Sequence, residues 1–239
     1  MEDIDTNNLP KHIAIIMDGN RRWAKQRGLS TREGHKAGAD ALENISRFCN
    51  EIGIKYLTVY AFSTENWKRS KQEVSGLMAI LKAHVDSFLR DKDKQNIKIK
   101  LAGNLEGLPK SLQNSMTKAI ETTKNNTGLT LNLAFNYGGR PEIVNAVKKI
   151  AQKIKDKEID VEDINEDLIS NNLYTAGQPD PDLLIRTSHE LRTSNFLPWQ
   201  LVYTEFYFPE KHWPEFGKED LLEAIRVYQK RNRRFGGRP

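Results

Sequence analysis

Short β-prone apolar runs alternate with longer amphipathic ones along this chain. The runs at residues 12–17, 56–62, 97–102, 129–135, 183–186 and 202–208 are rich in branched and aromatic side chains, as strands buried in a sheet are. Between them, residues 32–51, 73–94, 109–124, 141–155 and 218–231 repeat apolar positions at spacings of three and four, which predicts helices. Such alternation predicts an α/β fold with a mostly parallel central sheet flanked by helices. No repeat, low-complexity tract or linker interrupts it, so residues 1–239 read as one domain. Residues 1–9 are expected to be flexible, and the polar stretch 155–172 reads as a surface connection with a short helix.

In the helix from Glu73, Val74, Leu77, Met78, Leu81, Val85 and Phe88 form one apolar stripe. A stripe of this kind is ordinarily core, but it would equally line a tunnel for a long hydrocarbon. His84, beside it, reads as a boundary residue rather than a ligand. The formal net charge of +5 favours anionic partners. Cys49 is the single cysteine, which excludes an internal disulfide and a thiolate metal cluster and fits a reducing cytoplasm. No apolar stretch is long enough to cross a bilayer, and the acidic, polar amino end is unlike a signal peptide. The expectation is a cytoplasmic protein, at most peripheral at the inner face of a membrane.

Candidate chemistry gathers where strands end. The first run stops abruptly at Asp18-Gly19-Asn20-Arg21-Arg22-Trp23. An aspartate there can ligate a divalent cation, Gly19 permits close backbone approach, and Asn20 can cap a helix whose amino end faces an anion. Arg21 and Arg22 offer forked donors to phosphate oxygens. The second run ends in Ser63-Thr64-Glu65-Asn66-Trp67-Lys68-Arg69, and the fifth in Arg186, followed by Arg192 and Ser194. Three polar loops at the ends of separate strands, two of them cationic, suggest metal-assisted diphosphate chemistry.

Other readings fail against the string. It has no GxxxxGK[ST], no GxGxxG after a strand, no DDxxD-type cluster and no HExxH among its five histidines. That disfavours P-loop, dinucleotide, all-helical isoprenoid and zinc enzymes. The basic run Arg231-Asn232-Arg233-Arg234 is too short for a nucleic-acid module, so no nucleic-acid partner is expected.

These residues closely resemble the cis-prenyltransferase family. The resemblance runs from about Pro10 to Gly237. It includes HIAIIMDGNRRWA from His12, GHKAGA from Gly34, YAFSTENWKR from Tyr60 and NTGLTLNLAFNYGGR from Asn126. The LIRTS and SNFL segments around Arg186 and Ser194 and the terminal RRFGG from Arg233 complete it. The resemblance implies a homodimer whose subunits each carry an apolar substrate tunnel. It implies Mg²⁺-dependent addition of isopentenyl diphosphate to an allylic diphosphate (farnesyl diphosphate is the expected primer), each step creating a cis double bond. The product would be a long polyprenyl diphosphate such as undecaprenyl diphosphate, a carrier lipid for cell-wall synthesis, released through transient contact with a membrane surface.

Roles follow by resemblance, residue by residue. Asp18 would be the metal-linked carboxylate, supported by Glu205. Gly19, Asn20, Arg21, Arg22, Trp23 and His35 would surround the allylic diphosphate. Arg186, Arg192 and Ser194 would hold the diphosphate of isopentenyl diphosphate. Ser63, Thr64, Asn66, Trp67 and Arg69 match the segment that orients the reacting ends, with Asn66 placed among the catalytic residues. An amide is a poor base, so the departing diphosphate is an equal candidate for proton removal. Arg234 and Gly236, in the tail 232–239, would reach a partner subunit's site.

The chain also departs from the common pattern. Arg21 stands at a usual glycine, Thr31 at a usual arginine (with Arg32 next), and His189 at a usual glycine. Ser70 and Pro198 replace a proline and an aliphatic residue, and Phe135 is bulky for its place. These leave two other readings open: a diverged member making a shorter or irregularly coupled product, and a non-catalytic partner subunit. An accessory subunit has no need of Asp18, Arg22, Asn66 and Arg69 together.

Overall fold

In the computed structural model, residues 4–231 are described, without the side chains of 91–95. Six strands form one all-parallel sheet in the order β3-β4-β2-β1-β5-β6. They are β1 (His12–Ile16), β2 (Tyr56–Ser63), β3 (Lys98–Gly103), β4 (Thr130–Tyr137), β5 (Leu183–Arg186) and β6 (Glu205–Tyr207). All five residues of β1 are buried. A central parallel strand is covered on both faces, so it reads as an unbroken apolar run rather than an alternation.

The helices are α1 (Asn20–Gln26), α2 (Thr31–Ile52), α3 (Lys71–Gln95), α4 (Lys110–Thr123), α5 (Gly139–Lys155), α6 (Glu166–Ser170) and α7 (Lys218–Gln229). The start of α2 is fixed by a capping box, in which the Ser30 hydroxyl accepts from the Glu33 N–H while the Glu33 carboxylate accepts from the Ser30 N–H. Two orphan donors are satisfied at once, and the helix entry angle is set. The short helix expected within 155–172 is α6.

The larger core lies on the face covered by α2, α3, α4 and α7, around Ile13, Ile15, Leu57, Val59 and Met116. The stripe on α3 divides its work. Met78 is buried in this core, whereas Leu77, Leu81 and Phe88 are half-buried and, with the buried Val85, line a cavity beside it. A second apolar cluster, on the opposite face, packs Ala14, Ala134 and Leu184 against Phe196, Leu197 and Leu201.

One strand is shorter than its sequence suggests. Residues 202–208 are β-prone, but Val202 and Tyr203 are largely exposed in a turn and pairing begins only at Glu205. The turn is built by Leu201 N–H donating to the Leu197 carbonyl and is tied down by the Thr204 hydroxyl on the Pro181 carbonyl. At the amino end, where flexibility is expected, Gln229 of α7 donates to the carbonyls of Asp5 and Asn8.

Candidate active site

Strand order places the site. From β1 the chain crosses to β2 on one side, and from β5 it crosses to β6 on the other. Open parallel sheets bind ligands outside the carboxyl ends at such a reversal. Asp18, two residues beyond β1, and Arg186, the last residue of β5, meet there, with Arg186 Nη2 donating to Asp18 Oδ2 at 2.9 Å. Arg22, one turn along α1, donates to Asp18 Oδ1 at 3.0 Å. Burial raises the Asp18 pKa, but the two guanidiniums outweigh it and hold the carboxyl below the ordinary carboxylate range. Asp18 is therefore charged at neutral pH.

Arg186 is only 4% exposed. Its Nη1 donates to Ser194 Oγ at 2.8 Å and to the Arg192 carbonyl, and its Nε is buried without a partner. A buried guanidinium with a spare donor is costly unless a ligand completes it. Arg192 is exposed and pairs with Glu190, which also accepts from Arg22 at 2.8 Å. Glu190 thus bridges two cations that the sequence assigns to different diphosphates.

The loop carrying these groups holds an unusual backbone. Ser188, His189, Ser194, Asn195 and Leu197 all have positive φ, a conformation that non-glycine residues adopt only when their surroundings over-determine it. The surroundings are visible. The Tyr137 hydroxyl accepts from the Leu197 N–H and donates to Glu142 at 2.6 Å. The Asn195 carbonyl accepts from the Gly139 N–H, and its side chain accepts from the Arg140 N–H and donates to Glu65. Glu142 is buried, and burial pushes its pKa up. Sequence reasoning missed Tyr137, Glu142 and Asn195 as supports of this site; Tyr137 lay in the NYGGR segment and Asn195 in SNFL, while nothing pointed to Glu142.

The second strand end is equally organised. Asn66 Oδ1 accepts from the Ser63 N–H at 3.1 Å, so this amide locks the turn. Thr64 donates weakly to Glu65 at 3.3 Å. Trp67 stacks edge-on against Phe62 and donates to Asn136 Oδ1. Arg69 donates to Glu73 at 2.9 Å; His35 lies 3.6 Å and Arg21 3.8 Å from the same carboxylate. Burial, followed by the Arg69 charge, lowers the His35 pKa, with Glu73 opposing. Glu73 thus gathers three candidate anion-binding groups from α1, α2 and the β2 loop, and nothing in its sequence position announced it.

Two expectations need correction. Asn20 does not cap α1: Gly19 is the cap, at φ +102°, and Asn20 opens the helix with its Oδ1 buried and unpartnered. A left-handed turn between Asp18 and the helix admits glycine readily and other residues only with strain. Glu205 does not join Asp18 within the chain. It pairs with Leu183, whereas Arg186 pairs with Ile16, so it sits about 10 Å further down the sheet at ~3.3 Å per residue. It accepts instead from Arg231 Nη1 at 2.9 Å. Trp23 lies on α1 under the Arg27 guanidinium, with its Nε1 buried and unpartnered. Arg234 and Gly236 lie outside the described residues.

Two spaces meet at these groups. A polar cleft of about 880 Å³ is lined by Asp18, Gly19, Arg21, Arg22, Thr31 and Arg69 among others. A cavity of about 170 Å³ runs between α2, α3 and the sheet, walled by Leu42, Leu77, Leu81, Phe88, Leu133 and Phe135 among others. Met17, Asn20 and His35 line both. The arrangement suits a molecule with an anionic head and a hydrocarbon tail.

The lining also bears on the missing arginine at Thr31. Arg21 and Thr31 both face the polar cleft, whereas Arg32 is exposed and does not. Arg21→Gly is therefore expected to raise the KM for the allylic diphosphate, and Thr31→Arg to recover much of the loss. Steady-state kinetics of the double-mutant cycle check this; independent effects of the two substitutions would mean that Arg21 does not compensate for Thr31, and would favour a different primer.

Comparison with known proteins agrees with this geometry. The sequence profile of the putative undecaprenyl diphosphate synthase family matches residues 16–236. An isoprenyl transferase of Clostridium tetani is 52% identical, over 98% of this chain and 92% of its own. That of Staphylococcus saprophyticus is 50% identical, over 98% and 92%. Among solved structures, lavandulyl diphosphate synthase from Lavandula x intermedia, in complex with dimethylallyl diphosphate, superposes with a TM-score of 0.92. It is 41% identical, over 95% of this chain and 98% of that one. A probable undecaprenyl diphosphate synthase from Campylobacter jejuni gives 0.79 at 33% identity, over 96% and 99%. The fold is that of an α/β prenyltransferase. The chain belongs to the cis-prenyltransferase family, whose curated relatives at half identity are isoprenyl transferases. Among the described residues, no helix is long and apolar enough to cross a membrane.

Proposed function

We propose that this chain elongates farnesyl diphosphate with isopentenyl diphosphate to a long polyprenyl diphosphate, such as undecaprenyl diphosphate, that serves as a cell-wall carrier lipid. One observation carries the reading: a cationic cleft at the strand ends shares Met17, Asn20 and His35 with an apolar cavity. The growing hydrocarbon would lie in that cavity with its diphosphate in the cleft, beside Gly19, Arg21, Arg22 and His35. Isopentenyl diphosphate would be held by Arg186, whose unpartnered Nε awaits an acceptor, with Ser194 and the exposed Arg192.

Charge separates as the allylic carbon–oxygen bond breaks. Fixed guanidiniums at the leaving diphosphate stabilise the developing negative charge without reorganising. The donor set also fits Mg²⁺. Asp18 is an ionised hard-oxygen ligand facing the cleft, and this ion commonly takes one or two carboxylates, with phosphate oxygens and water completing its shell. Among the described residues no cluster of three His, Cys, Asp or Glu could hold a metal unaided, so Asp18 would hold it together with substrate. Bound there, Mg²⁺ would supply Lewis-acid stabilisation of the leaving group. Asn66, tied to the Ser63 N–H, orients the segment, and the departing diphosphate takes the proton.

Homodimerisation and transient contact with the inner membrane surface belong to the same proposal. The exposure of Val144 and Val147 on α5, and of Val202 and Tyr203, supports a protein contact, since exposed apolar groups mark interaction surfaces. A second reading has an observation of its own, the close superposition on lavandulyl diphosphate synthase. It makes this chain a short-chain or irregular-coupling enzyme. Rates with dimethylallyl, geranyl and farnesyl diphosphates, each with and without isopentenyl diphosphate, separate the two. Elongation requires isopentenyl diphosphate and favours farnesyl diphosphate. Product from dimethylallyl diphosphate alone would favour irregular coupling.

A further inference from the structure

The Asp18–Gly19 turn rests on two side chains that no role yet accounts for. Ser188 is buried and places its Oγ 3.0 Å from the Asp18 carbonyl oxygen and 2.7 Å from His212 Nδ1. The same carbonyl accepts from the Thr187 hydroxyl at 2.7 Å and from the Trp213 N–H at 3.0 Å. The Thr187 oxygen in turn accepts from the Asp18 N–H. A Cβ on Gly19 would fall 2.1 Å from Ser188 Oγ and 2.7 Å from His212 Nδ1, so the turn sits directly on this pair.

The Asp18 carbonyl can only accept; with the Ser188 hydroxyl proton given to it, His212 carries its proton on Nδ1 and donates to Ser188 Oγ. The chain runs His212 Nδ1–H to Ser188 Oγ, and Ser188 O–H to the Asp18 carbonyl. It links the segment after β6 to the loop after β5 and to the end of β1. Ser188 keeps φ at +71° to do so, and backbone strain held at a functional site implies a side chain that is needed there.

We infer that Ser188 and His212 are a positioning pair, which fixes the Asp18–Gly19 turn so that the Asp18 carboxylate and the Gly19 backbone face the diphosphate. Its bearing on catalysis rests on the proposed prenyl transfer; its bearing on the turn does not. Neither residue lines the polar cleft.

Hydrogen exchange of the segment 17–22 and steady-state kinetics of four variants test the pair. Ser188→Gly removes the hydroxyl while relieving the positive φ; Ser188→Ala removes it and keeps the strain. Both are expected to speed exchange in 17–22 and to lower kcat about tenfold, as loss of one neutral hydrogen bond does, with the KM for isopentenyl diphosphate unchanged. Ser188→Gly should nonetheless melt higher than Ser188→Ala. His212→Leu should behave like Ser188→Ala, and His212→Asn, which keeps an N–H near the Nδ1 position, should recover most of the loss. A purely structural role would make kcat follow thermal stability and leave Ser188→Gly the more active of the two. That result, or unchanged exchange in 17–22, would overturn the pair. Should the unmodified chain turn over no prenyl diphosphate, the proposed function fails, and exchange alone still decides the pair.

Discussion

Asp18→Ala is expected to lower turnover about a thousandfold, because leaving-group stabilisation is the largest electrostatic contribution to this class of reaction. Steady-state assays with isopentenyl diphosphate and a primer, at saturating Mg²⁺, check it. The sequence alone predicts near-normal folding for this variant, since a strand-end carboxylate is placed for a ligand. The structure adds a cost. Asp18 is an acceptor for the almost fully buried Arg186, and stranding a buried donor costs about 1–3 kcal/mol. A lowered Tm should therefore accompany the loss. Asp18→Asn keeps an acceptor for Arg186, so it should fold more stably than Asp18→Ala while remaining nearly as inactive. Substantial turnover in either variant would remove Asp18 from the chemistry.

Arg186→Ala carries the second largest effect. A charge-assisted contact to diphosphate is worth about 1.5–3 kcal/mol, so the KM for isopentenyl diphosphate should rise roughly ten- to a hundredfold. The exposed Arg192 should give less. Arg186 also has a second job that its partner reveals. Burial pushes the Asp18 pKa up, and Arg186 heads the interactions that pull it down. Removing the guanidinium raises that pKa, so the ionised form needed for activity appears only at higher pH. The acid limb of the kcat profile should move upward in Arg186→Ala and stay in place in Arg192→Ala. An effect confined to the allylic substrate would reverse the assignment of these arginines.

How much of this was legible depends on whether the cause was local. The ends of β1 and β5 showed in the sequence because fully buried runs stop at Asp18 and Arg186, and burial on both faces leaves no alternation to misread. The helix stripes were equally plain. Glu205 was misplaced because strand register is set by pairing across the sheet, and no property of residues 202–208 reveals which partner each will face. The same stretch is β-prone yet opens as a turn, held by the carbonyls of Leu197 and Pro181 from outside it. Glu73 was invisible as a hub because Arg21, His35 and Arg69 reach it from three elements. The 188–197 loop was least legible of all. Its positive φ angles fall on serine, histidine, asparagine and leucine, and the Tyr137–Glu142 pair that holds part of it lies some fifty residues away.

The central claim is that the cleft and the cavity act on one molecule, the head in one and the growing tail in the other. Sizing the products formed from radiolabelled isopentenyl diphosphate and farnesyl diphosphate tests it most directly. A narrow distribution of long polyprenyl diphosphates is the predicted result, moving to other lengths when Leu81 or Phe88 in the cavity wall is changed to alanine. Products that stop after a single condensation, or a distribution indifferent to the cavity wall, would contradict it.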